Sequence, residues 1–230
     1  MSDPVKPRRP YDSRRRRQQA EANRRNILEA ARRLLLDTGY AGTTIGAIAN
    51  AAGVSPETIY KSFGGKPGLV RAIWLQGLEG TGDVPAEQRS DAIRDAEHDP
   101  RRLIRTWGRF TSEVAPRVAP IVLLIRAAAA SDVSMTELLA EVDEQRLRRM
   151  ETNARTLFER GDLRSGLTLD DARDIMWAYT APELYELLVL RRGWSAERFG
   201  TLVAEQMIAA LLPPEPGPMP GGQPAPDSGA

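Results

Sequence analysis

An all-α fold is predicted for this chain of 230 residues. Three observations carry that prediction. Apolar residues recur at helical spacing through most of the chain. Helix-start and helix-stop signals bracket the periodic stretches, with Ser, Thr or Asp before them and Gly after. No segment alternates apolar and polar residues as a half-buried strand would, and no internal repeat is present. With 41% hydrophobic and 27% charged residues, the composition is that of a globular protein, enough for one large or two small domains.

Composition also excludes several classes. A membrane helix needs about 20 consecutive apolar residues. The most apolar run, IVLLIRAAAA, is too short and is broken by Arg126. The basic N-terminus continues into charge rather than into an apolar segment, so no signal peptide is read. Cysteine is absent, which removes disulfides and thiolate metal sites and fits a cytoplasmic location. The net charge of +1 hides an asymmetry. Residues 1–75 carry 14 Lys and Arg against 6 Asp and Glu, a net of +8, and residues 76–230 carry 18 against 25, a net of −7. A basic N-terminal part on an acidic remainder points to a polyanion as partner of the first part only.

In chain order, residues 1–20 hold Pro4, Pro7, Pro10 and the run Arg14–Arg17, with nothing apolar to bury. They read as a disordered basic arm suited to phosphate or minor-groove contact. Helix 1 is predicted over 21–37, with Ile27, Ala30, Ala31, Leu34 and Leu35 on one face. Gly39 stops it, and Tyr40 folds back on its last turn. Thr43 or Thr44 caps a second helix whose apolar face is Ile45, Ile48, Ala49 and Ala52. Its first turn has Gly46 and Ala47 and no acidic capping partner. Gly53 supplies a tight turn; Ser55 caps a third helix with Pro56 at its first position. Ile59 and Phe63 face inward there; Pro56, Glu57, Thr58, Tyr60, Lys61 and Ser62 are left to face out. Two short helices around a glycine turn, with a polar and basic outer face, is the helix-turn-helix layout, whose second helix enters the major groove by its first residues.

Gly64 and Gly65 loosen the entry to a fourth helix over about 67–78, striped by Leu69, Val70, Ile73 and Trp74. Gly80 to Gly82 break the chain, and residues 85–97 read as a loose charged helix or loop. Asp99 and Pro100 start a helix carrying Leu103, Ile104, Trp107, Phe110 and Val114. Pro116 interrupts it, and Pro120 precedes the buried run 121–130. Asp132 or Ser134 caps a long helix faced by Leu138, Val142, Met150, Ala154, Leu157 and Phe158 and ended by Gly161. Thr168 and Asp171 form a capping box before Ile175, Met176, Trp177 and Tyr179. Pro182 restarts the helix, which runs to Gly193, and Ser195 caps the last one. Residues 213–230 hold seven Pro and four Gly and read as a disordered tail.

The run GYAGTTIGAIANAAGVSPETIYKSFGGK, preceded by an amphipathic helix, resembles the DNA-binding domain of the tetracycline-repressor (TetR) family, closely over residues 21–70. APELYELLVLRRGWSAERF is more weakly similar to the dimerising region of such regulators. The resemblance implies an N-terminal three-helix helix-turn-helix domain (21–68) and a larger helical ligand-binding and dimerisation domain (69–212), between the basic arm and the tail. It implies a homodimer on a double-stranded operator, a small-molecule effector, and no membrane partner. Tyr60 and Lys66 match the family's phosphate-contacting positions; Ser55, Pro56, Thr58 and Lys61 match positions that face the groove. Thr44, at a helix N-terminus, favours phosphate by its hydroxyl and free amides. Thr58 can offer a hydroxyl, or a methyl to thymine, and Lys61 can donate to guanine or phosphate.

Trp107, Phe110, Trp177, Tyr179 and the charged Arg126 are the candidate pocket residues; each is also at home in a core. No catalytic constellation is present: His98 is the one histidine, no His/Cys cluster exists, and GGKPG lacks the spacing of a phosphate-binding loop. No metal and no cofactor are expected. The reading is a transcriptional regulator, a repressor released by a small, mostly apolar ligand. The alternative is a ligand-independent DNA-binding protein that uses the basic arm.

Overall fold

The structure is a computed structural model that describes residues 11–82 and 84–215. Among these residues it is all-α, without strands. The N-terminal part holds α1 (Tyr11–Gly42), α2 (Ile45–Ala52) and α3 (Pro56–Phe63), followed by α4 (Lys66–Glu79) and α5 (Ala86–Ala96). Then come α6 (Pro100–Ala129), α7 (Val133–Glu159), α8 (Leu169–Tyr179), α9 (Pro182–Tyr185) with a π turn over Glu186–Leu190, and α10 (Ala196–Leu211).

The caps explain most boundaries. Asp99 accepts from the amides of Arg101 and Arg102 at 2.8 and 3.1 Å, Asp132 from Met135 and Ser195 from Arg198. Thr168 and Asp171 form the full reciprocal box. Gly53 and Gly64 end α2 and α3 in the left-handed conformation, at φ 67° and 74°. Gly65 follows at φ 125°, beneath the Tyr60 ring. The two glycines expected to loosen the entry to α4 therefore build its turn, in a conformation that other residues rarely adopt.

Three readings of the chain are corrected. Of the arm expected over 1–20, residues 1–10 lie outside the described residues, whereas 11–20 are helical and extend α1. Gln18, Gln19, Ala20 and Glu21 are good helix formers, and Arg15, Arg16 and Arg17 are exposed to water. Pro116 does not interrupt α6; the helix passes through both Pro116 and Pro120. Pro120 has no N–H for the carbonyl of Pro116 four residues earlier. Arg32 of α1 supplies one instead, donating to Pro116 O at 3.2 Å and to Arg117 O at 2.7 Å. Phe158 is 49% exposed rather than part of the α7 core face. Most of the expected tail, residues 216–230, also lies outside the described residues.

Buried apolar residues form two clusters. The first joins Ile27, Leu35, Ile48, Ile59, Leu69 and Trp74 of α1–α4 to Ile121 and Ile125 of α6 and to Met135, Leu138 and Val142 of α7. The second joins Leu103, Ile104 and Trp107 of α6 to Leu157 of α7, Met176 of α8 and Phe199, Val203 and Met207 of α10. Helices α6 and α10 cross at Gly108 and Gly200, where a Cβ on Gly200 would stand 2.3 Å from Gly108 O. Only glycine admits that approach. No helix among the described residues is long and apolar enough to cross a membrane.

Candidate nucleic-acid interface and ligand cavity

The Thr43–Thr44 pair divides two tasks between two helix ends. Thr43 is buried, and its hydroxyl reaches Gly39 O at 2.8 Å, serving the end of α1. Thr44 is exposed and caps α2, accepting from the amide of Ala47 at 3.1 Å. Lys66, at the first position of α4, donates to Tyr40 O at 2.6 Å and Thr43 O at 3.0 Å, and its ammonium lies 4.0 Å from the centre of the Tyr40 ring. Its ammonium thus already binds two carbonyls and an aromatic face, a structural task that the phosphate role alone does not contain. Burial and the Asp132 carboxylate push the Tyr40 phenol up to about 12. Tyr40 thereby ties the α1–α2 junction to the start of α7.

On α3, Ser55, Pro56, Glu57, Tyr60 and Lys61 are exposed, and Thr58 is half-buried. Ser55 accepts from the Thr58 amide, and the two hydroxyls lie 3.2 Å apart. The Glu57 carboxyl is held below its ordinary value by its own amide and by the Ser55 hydroxyl. That supports a helix-start role for Glu57. The outward set Ser55, Pro56, Thr58, Tyr60 and Lys61 is therefore gathered on one accessible helix, with Thr44 at the adjacent helix end. Ile59 on the opposite face is fully buried and anchors α3 to the core. Gly68 sets how close α3 and α4 come: a Cβ there would stand 1.8 Å from Phe63 O.

The larger helical part forms, with α4, a half-open cavity of about 240 Å³. Its apolar wall includes Trp74 and Leu78 of α4, Phe110 and Val122 of α6, and Tyr185 and Phe199. Trp107 and Phe110, two of the expected pocket residues, lie on that wall. The other three do not. Arg126 forms ion pairs with Glu183 and, at 3.5 Å, with Asp143. Trp177 sits beneath the Arg146 guanidinium, 4.2 Å from its ring centre. Tyr179 packs against the second core cluster. A helical period places neighbours such as Met176 and Trp177 about 100° apart, so only one of them reaches the wall.

Sequence reasoning missed the polar part of the wall. Val142, Arg146, Arg149 and Asn153 follow one stripe of α7 at i, i+4, i+7 and i+11, and all four line the cavity. Two arginines and an asparagine on an inward stripe are the signal that could have found them. Burial pulls the Arg146 guanidinium down to about 10, so it stays charged at neutral pH.

The helices over 168–192 and 195–211 are the expected dimer face. The apolar residues of α10, including Phe199, Val203, Met207 and Leu211, are buried within the chain. Between residues 168 and 211 the large apolar side chains left exposed are Leu187 and Leu190 of the π turn, at 50% and 52%.

A capped helix pair around a left-handed glycine, displaying an outward polar helix, defines a helix-turn-helix protein. Residues 27–73 match the family described as "Bacterial regulatory proteins, tetR family". The chain is 38% identical over 74 residues to the uncharacterized HTH-type transcriptional regulator YvkB of Bacillus subtilis, covering 32% of this chain and 39% of that protein. It is 36% identical over 81 residues to HTH-type transcriptional regulator BetI 1 of Chromohalobacter salexigens, covering 35% and 40%. The alignments thus span about two fifths of these relatives' length. In fold, the chain is similar to the SmeT–triclosan complex, with TM-score 0.66, 23% identity and coverage of 88% and 99%. It is also similar to FadR of Bacillus subtilis in complex with stearoyl-CoA, with TM-score 0.65, 15% identity and coverage of 80% and 97%. The tetR-family match thus lies in the helix-turn-helix part, residues 27–73, and beyond it the likeness to solved structures is one of fold.

Proposed function

We propose that this chain is a sequence-specific DNA-binding transcriptional regulator, a homodimeric repressor released from its operator by a small, mostly apolar ligand in the cavity. The observation that carries the reading is the position of Trp74. It belongs to the core under the helix-turn-helix and also walls the cavity. Through α4 it is joined to Lys66, whose ammonium holds the carbonyls at the entry to α2. A ligand that displaces Trp74 or Leu78 would shift α4 and change the tilt of α3. In a dimer the two copies of α3 must sit roughly 34–36 Å apart, or a multiple of it, to meet successive major grooves. A shift of one helix therefore lowers operator affinity.

Thr44, Tyr60 and Lys66 are assigned to phosphate, and Ser55, Pro56, Thr58 and Lys61 to the groove. In Lys66 the third N–H is the one left for phosphate. Leu187 and Leu190 contribute to the dimer face. The likeness to solved regulators carrying triclosan and stearoyl-CoA supports a cavity of this kind.

The test begins by selecting bound fragments from random DNA with the full chain. Thr58→Ala should then lower operator affinity by about 1–3 kcal/mol and relax the sequence preference. A Thr58→Ala protein that binds the selected operator like its parent removes α3 as the reader. Ligand and DNA should each weaken the other by the same factor, with coupling of about 1–3 kcal/mol.

A further inference from the structure

The ligand wall carries polar groups that the protein itself leaves unanswered. Trp107 Nε1, Arg146 Nε, Arg149 Nη2 and Asn153 Oδ1 are buried without a hydrogen-bond partner, and all four residues line the cavity. Trp107 is 6% exposed and Asn153 5%. Three of these atoms are donors, and two belong to guanidinium groups. Burying such groups unpaired is costly, and each gains from an acceptor.

The two arginines are already oriented by their other nitrogens. Arg149 Nη1 donates to Asp91 of α5 at 2.6 Å and lies 3.5 Å from Glu87. Arg146 Nη1 donates to Trp177 O at 2.5 Å, its Nη2 lies 3.7 Å from Asp143, and its plane stacks on Trp177. Held on two sides, each side chain has lost most of the rotamer freedom that binding would otherwise have to remove. Asp91 and Asp143 are not on the cavity wall; Glu87 is on it, and exposed. Most of the remaining wall is apolar, with Trp74, Leu78, Phe110, Val114, Val118 and Val122, and its uncharged polar side chains include Ser90, Thr111, Gln145 and Thr180.

We infer that the cavity takes an amphipathic organic anion, an apolar body with one carboxylate-class head group bound by Arg146 and Arg149. Arginine presents several donors in a planar fork that matches a carboxylate, and such charge-assisted bonds are about twice as strong as neutral ones. Trp107 Nε1 can give one further hydrogen bond to the head group. Quaternary ammonium ligands are disfavoured by the same two cations. The inference rests on the proposed ligand-binding role of the cavity and adds the chemical class of its occupant.

The test compares decanoate, decanol and decyltrimethylammonium by calorimetric titration into the full chain. Their apolar tails match, so the differences report the head group. Decanoate should bind at least about tenfold more tightly than decanol, as expected for about 1.4 kcal/mol from a charge-assisted contact. Decyltrimethylammonium should bind more weakly than decanol. Arg149→Met and, separately, Arg146→Met should erase most of the decanoate advantage while decanol affinity stays near the parent value. The retained decanol binding shows that a variant still has its folded cavity, and two variants guard against one failing to fold. Equal or tighter binding of decanol in the parent overturns the anion assignment and leaves the apolar cavity standing. Binding of none of the three overturns both.

Discussion

Removing Arg32 should show that α6 depends on a distant helix for a hydrogen bond that its own backbone cannot make. Pro120 leaves the Pro116 carbonyl without its intrahelical donor, and Arg32 Nη2 reaches that oxygen at 3.2 Å. Arg32 Nη1 donates to Arg117 O at 2.7 Å. Hydrogen bonds from a charged group are worth about 1.5–3 kcal/mol each. Arg32 is only half-buried, so solvent screening reduces the pair to roughly 2 kcal/mol in total. For a chain of this size that is about 4–8 °C in melting temperature. Arg32→Met keeps much of the stem packing and isolates the guanidinium. The assay is a thermal and urea unfolding cycle of Arg32→Met, Pro120→Ala and the double variant. Alanine at 120 restores a backbone N–H for Pro116 O, so the cost of Arg32→Met should be smaller in that background, by about 1 kcal/mol. An equal cost in both backgrounds would refute the role given to the proline-freed carbonyl.

Three further perturbations address other parts of the chain. Gly68→Ala places a methyl group against Phe63 O, so it should force α3 away from α4; we expect a loss of about 1–3 kcal/mol in urea unfolding and weaker operator binding. A variant as stable as its parent would show that the turn yields freely. Leu187→Glu with Leu190→Glu should convert the proposed dimer to a monomer in sedimentation, since a charge in an apolar interface is unpaired; an intact dimer would place the interface elsewhere. The Arg89 guanidinium, with the amide and hydroxyl of Thr81, holds the Glu113 carboxyl down at about 2 from an ordinary 4.5. Its folded value is depressed, so its contribution is present above about pH 4.5 and is lost as the pH falls toward 2. Glu113→Gln should flatten that acid dependence, and an unchanged acid limb in unfolding would deny the pairing any weight.

The sequence by itself determined the elements whose causes are local. Ser55, Asp99, Thr168 and Ser195 cap helices because a side-chain oxygen reaches amides two or three residues on, and Gly53 turns the chain because only glycine takes φ near 67° without strain. The helix-turn-helix, with its outward Ser55, Tyr60 and Lys61, was legible for that reason. So were the all-α class and the aromatic residues Trp107 and Phe110 of the cavity. Tertiary structure decided what depends on partners far along the chain. Pro116 was read as an interruption, yet α6 runs through it, and the carbonyl that Pro120 leaves without a donor is met by Arg32 from another helix. Lys66 binds carbonyls of residues 40 and 43, which no periodicity reveals. The pocket assignments of Arg126, Trp177 and Tyr179 failed because an aromatic or charged residue on an apolar helix can face a core, an ion pair or a cavity equally well. Which of these it meets is set by how α7, α8 and α10 pack, as the burial of the α10 face against α6 shows. Local chemistry is written in neighbouring residues; long-range pairing is a property of the packed chain alone.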